Sequence, residues 1–129
     1  MSHPSLTSLY GVLDATWPAA EFITFGPWTL RRGSGGGSRV SVATTDKAVT
    51  SDEIDNAIAE MFGLDQDPIF MVRDGQNDLD AMLDRKGLII KDPVVLYSID
   101  LAKCDWPKPQ QMTDFAMWPP LSVCLDIWQ

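Results

Sequence analysis

Between Ser51 and Phe62 the apolar residues Ile54, Ala57, Ile58, Met61 and Phe62 recur at the spacing of one helix face. Thr50 followed by Glu53 forms a capping-box pair that starts this helix, and Gly63 predicts a left-handed stop. A second helix is predicted over about Gln76–Lys86, with Leu79, Met82 and Leu83 on one side. Its acidic residues Asp78 and Asp80 come first and Arg85 and Lys86 last, the order that complements a helix dipole. The opening Ser5–Thr16 also reads as helix, with Leu6, Leu9, Tyr10 and Leu13 as the buried stripe and Pro18 as its end. Strands are predicted at Trp28–Arg32, Arg39–Ala43, Ile69–Arg73, Leu88–Ile90 and Val94–Ile99. The continuous apolar run from Pro93 to Tyr97 is expected as a strand buried on both faces. Punctuation falls at Gly33–Ser38, at Asp65–Pro68 and in a Pro- and Trp-rich stretch from Trp106 to Pro120. The order is a mixed α+β or α/β arrangement in which one sheet carries helices.

Composition narrows the function rather than the fold. The 129 residues predict one domain, large enough to bury a core without staples. Eighteen acidic against ten basic residues give a net charge of −8, a surface that repels phosphate backbones and anionic lipid. A nucleic-acid or membrane partner is therefore not expected, and no apolar run reaches the length of a membrane span. Met1–Thr7 does not read as a signal peptide. Two cysteines and one histidine supply neither a zinc site nor a disulfide framework, and a reducing, cytoplasmic compartment is expected. Cys104 and Cys124 lack a nearby histidine in sequence to activate a thiolate. Asp74, Asp78, Asp80 and Asp84 do not have EF-hand spacing, and helix N-terminal charge accounts for most of them; no metal is expected.

The sharpest local pattern is Arg32-Gly33-Ser34-Gly35-Gly36-Gly37, an R-x-x-G-x-G string. It resembles the pyrophosphate loop of acetyl-CoA-dependent N-acyltransferases, which implies a cofactor cradle at Arg32, Gly35 and Gly37. Such a loop runs directly into a helix N-terminus, whereas Ser38–Ala43 alternates like a strand, so a flexible hairpin connection stands beside the cradle as a reading. No Gly-Lys-Ser/Thr follows, which excludes a P-loop.

The N-terminal third, read as Trp17-Pro18-Ala19, then Gly26-Pro27-Trp28-Thr29-Leu30-Arg31, then Gly35 to Ser41, resembles the degenerate N-terminal half of some bacterial GNAT-type N-acetyltransferases. A weaker likeness covers Ile69 to Leu101, where GNAT domains run strand, N-x-x-A-x-x-L-Y helix, G-F and a closing strand. Here Gln76 stands in the Asn slot and Leu83 in the Tyr slot, and leucine cannot serve as the general acid that tyrosine supplies in many members.

The resemblance implies a GNAT-like α+β half with a mixed, mainly antiparallel sheet and flanking helices over residues 1–103, with 104–129 as a tail opening toward a second, catalytic half. Its implied function is the non-catalytic or substrate-side domain of an enzyme that moves acetyl from acetyl-CoA to a primary amine. The implied partners are the catalytic half or a second copy. Arg31 and Arg39 beside the glycine turn, Tyr97 on the closing strand, and Trp118 and Trp128 in the tail are candidate substrate or interface residues. A stand-alone self-associating module without enzyme activity is the alternative.

Overall fold

Gly26, at φ 56, gives the positive φ that a two-residue turn demands and folds the chain into a hairpin at Gly26-Pro27. In the computed structural model, which describes residues 4–108 and 118–127, this hairpin pairs β1 (Glu21–Phe25) antiparallel with β2 (Trp28–Arg32). Two further short strands, β3 (Val42–Ala43) and β4 (Ile69–Phe70), pair in parallel. Reciprocal Thr29–Thr44 bonds of 2.8 and 3.0 Å stitch β2 to β3. The helices are α1 (Leu6–Thr16), α2 (Ser51–Gly63), α3 (Asn77–Arg85) and α4 (Ser122–Ile127). The fold is therefore α+β, a small antiparallel hairpin with a parallel strand pair and flanking helices.

The chain separates into two units, Met1–Lys91 and Asp92–Gln129. In the first, α2 crosses over from β3 to β4 and lays Ile54, Ala57 and Met61 against Trp28, Leu30 and Ala43. Leu79 and Leu83 of α3 complete the buried cluster. Each large side chain here contributes roughly 1.5–3 kcal/mol by leaving water. Trp28 also donates its indole N–H to the Glu53 carbonyl at 3.0 Å and meets the Phe70 ring edge-on, so its own buried donor is satisfied.

The Thr50–Glu53 capping box is present in both directions. Other expected elements differ, and of the expected strand Ile69–Arg73 only Ile69–Phe70 pairs. Gly63 stays helical, and the left-handed position after α2 falls to Asp65 at φ 59, a residue type that tolerates it. Arg39–Ala43 is not one strand: Ser38–Val40 closes a 3-10 turn, held by Ser41 donating its amide to the Ser38 carbonyl and its hydroxyl to the Gly37 carbonyl. Only Val42–Ala43 remains extended with a partner. Among the described residues no backbone pairs with Leu88–Ile90 or Val94–Ile99, and a stretch without a ladder has nothing to hold it as a strand. The Pro93–Tyr97 run, expected to be buried, is exposed instead.

The expected stripe of α1 is nowhere fully buried; Leu6 is exposed and Leu9, Tyr10 and Leu13 are half-buried. Three arginines hold the helix and the residue after it. Arg31 pairs with Asp14, Arg73 lies 4.4 Å from the Tyr10 ring centroid, and Arg39 lies 5.1 Å from that of Trp17. The period of two along β2 puts Arg31 on the face opposite Trp28 and Leu30, which is why α1 and the core helices take different sides.

The second unit contains a 3-10 turn, Leu101–Lys103, capped by Asp100, and the short α4. No described helix is long and apolar enough to cross a membrane.

Candidate functional site

The glycine segment, the 3-10 turn and the loop after α2 meet around an open groove of about 520 Å³. Arg32, Gly35 and Gly37, the residues expected at a cofactor cradle, all line it. With them stand Ser34, Ser38 and Ser41, then Asp65, Gln66 and Asp67 on the other wall, and Lys91. Two cationic and two anionic side chains thus face one cavity, so it offers no net positive field to an anion.

Each cation is already engaged. The Arg32 Nε donates to Glu21 at 2.9 Å, and Lys91 Nζ donates to the Ser38 hydroxyl at 3.2 Å. The glycine loop closes on itself through Gly36 N–H to the Gly33 carbonyl at 2.9 Å. Its floor is Gln66, which sequence reasoning missed. The Gln66 amide donates to the Arg31 carbonyl at 2.7 Å and the Ser41 carbonyl at 3.2 Å, while its oxygen accepts from Gly33 N–H at 3.3 Å. No local signal marks Gln66 in sequence, because its three partners lie 25 to 35 positions away.

Of the other expected site residues in the first unit, Arg31 and Arg39 do not line this groove. Arg31, 3% exposed, spends its guanidinium on Asp14, the Thr44 hydroxyl at 2.9 Å and the Val42 carbonyl at 3.2 Å. Arg39 covers Trp17. Tyr97 (92% exposed) and Trp118 (89% exposed) belong to the second unit, and Trp128 lies outside the described residues. Among the described residues no cluster of His, Cys, Asp and Glu could hold a metal.

A second location matters for phosphate chemistry, the N-terminus of α2. It follows β3 through Thr44–Thr50, a connection without glycine. Thr45 braces this loop, donating its hydroxyl to the Pro27 carbonyl at 2.7 Å. The helix end is closed by its own carboxylate, since Glu53 accepts from Thr50 N–H at 2.7 Å and Asp52 adds a second negative charge. A helix N-terminus favours anions because its free N–H groups and dipole point outward; here both are answered from within the chain.

The α3 start is likewise committed to structure. Gln76 donates to the Thr45 carbonyl at 2.7 Å and accepts from Arg73 N–H at 2.9 Å. Leu83 is buried in the core. The chain matches no protein-family model, no curated protein and no solved structure.

Proposed function

We propose that this chain is the N-terminal, non-catalytic half of an acetyl-CoA-dependent, GNAT-type N-acetyltransferase acting on a primary amine. The reading rests on the sequence resemblance, and the observation that favours a non-catalytic half is the α2 N-terminus capped by Glu53. The acyltransferase cradle needs a glycine loop that delivers the pyrophosphate to a helix N-terminus. In this chain the two parts are separated. The glycine loop leads into a three-residue 3-10 turn, and the long helix after β3 begins behind a glycine-free connection with its own carboxylate in place. Leu83 in the tyrosine slot adds no proton donor. The crossover β3–α2–β4 supplies architecture, while acetyl transfer belongs to a second half.

Titration calorimetry with acetyl-CoA tests this on two proteins, the 129-residue chain and the protein as its native cell makes it. Heat from the native protein alone is the expected result. Micromolar binding by the short chain, lost in Gly35→Asp, would make it a complete acetyltransferase. No binding by either protein would remove the acetyltransferase reading and leave the self-associating module. That second reading is favoured by one observation, the exposed apolar side chains Val94, Val95, Ile99, Leu101, Trp106 and Trp118.

A further inference from the structure

This acidic chain has five arginines, and three of them, Arg31, Arg39 and Arg73, meet α1 or the residue after it. Their partners Asp14, Trp17 and Tyr10 form one helix stripe, with Tyr10, Asp14 and Trp17 at i, i+4 and i+7. The Trp17 N–H still bonds the Leu13 carbonyl at 3.0 Å, so helical spacing holds to the end of the stripe. At a rise of 1.5 Å per residue, the three guanidiniums face a line about 10 Å long.

Carboxylates do not balance this row. α1 contributes one acid, Asp14, while Tyr10 and Trp17 supply rings rather than charge. Arg73 reaches Asp46 at 2.6 Å, and Arg39 makes no ion pair among the described residues. The Arg73 Nε is buried and has no acceptor among the described residues, a state that folded proteins rarely leave a donor in. Arg31 is the most firmly built member. Its Nη1 is held from behind by the Thr44 hydroxyl at 2.9 Å and the Val42 carbonyl at 3.2 Å, with the Phe22 ring centroid 5.4 Å from its Cζ. Nε and Nη2 are thereby aimed outward as a fork, and Asp14 fills it. A guanidinium fixed by the framework on one edge and offered on the other is preorganised for an oxyanion.

We propose that this arginine row is a binding site for a small molecule carrying two oxyanion groups, and that α1 occupies it as an autoinhibitory contact. Asp14 satisfies one fork with one carboxylate. A ligand with a second oxyanion group engages Arg31 and a neighbouring arginine together, and so competes for the row against the single carboxylate of the helix. Carboxylate and phosphate share the planar, bidentate geometry that the fork reads. The site holds or fails independently of the acetyltransferase reading.

Calorimetric titration of the full chain with inorganic pyrophosphate and, separately, with succinate provides the test, each in sodium chloride of matched ionic strength. Asp14→Ala removes the competing carboxylate and is expected to bind a probe about 5- to 150-fold more tightly than the wild type. Adding Arg39→Ala, at an exposed position, should weaken that binding again. Hydrogen exchange is the second readout. Saturating probe should speed exchange of Leu9–Trp17 amides in the wild type and leave those of Ile54–Met61 unchanged. A response to pyrophosphate alone assigns a phosphate-bearing ligand, and a response to succinate alone a dicarboxylate. No binding of either probe by Asp14→Ala overturns the proposal. So does equal affinity in Asp14→Ala and wild type, binding indifferent to Arg39→Ala, or exchange that quickens equally in both regions.

Discussion

Arg31 and Asp14 share two hydrogen bonds, Nε to Oδ1 at 3.1 Å and Nη2 to Oδ2 at 2.9 Å, between a buried strand residue and a carboxylate 40% exposed on α1. The fork geometry matches a carboxylate as lysine cannot. Because α1 buries no residue completely, this pair is its firmest attachment to the sheet. Asp14→Ala should therefore loosen α1 specifically. Hydrogen exchange should show amides of Leu9–Trp17 opening about 5- to 150-fold more readily, equivalent to roughly 1–3 kcal/mol. Amides of Ile54–Met61 should change little. Equal acceleration in both regions would refute the assignment.

Gln66 closes three backbone groups from two separate segments. Gln66→Leu keeps the volume and leaves those half-buried groups without their partner. Urea unfolding should show a loss of about 1–3 kcal/mol. An unchanged midpoint would mean that water replaces the amide at no cost.

The glycine segment divides into positions with and without room. A Cβ at Gly33 would meet the Ser41 hydroxyl and approach the Val40 carbonyl at 3.2 Å, whereas one at Gly35 meets nothing within 4 Å. Gly35 carries only the backbone cost of φ 83, about 1 kcal/mol for a substituted residue. Gly33→Ala should thus destabilise more than Gly35→Ala in thermal melts, by about 1–2 kcal/mol. The reverse order would show that Ser41 moves aside freely.

Local signals in the sequence identify helices α2 and α3 to within about two residues because capping, periodicity and charge order agree there. The hairpin strand β2 is legible for a similar reason, since Trp28 and Leu30 alternate with Thr29 and Arg31. What sequence leaves hidden depends on distant partners. Residues 94–99 have strand propensity but no ladder among the described residues, and propensity does not create a neighbour. Ser41 looks like a strand residue until its side chain is seen closing the turn over Gly37. Of the candidate site, Arg32, Gly35 and Gly37 do lie on one groove. Arg31, one position away, points to the other face and becomes part of the framework.

The arginine attachment of α1 also sets an order of disassembly. Arg31 and Arg73 hold it, Arg39 holds Trp17 just after it, and none of its residues enters the buried cluster that contains Trp28, Leu30, Ile54 and Met61. Undocking α1 returns a guanidinium and a carboxylate to water, where both are well solvated, and opens no seam between the sheet and α2. The first helix is thus a cover that can be lifted and replaced while the rest of the first unit stays folded.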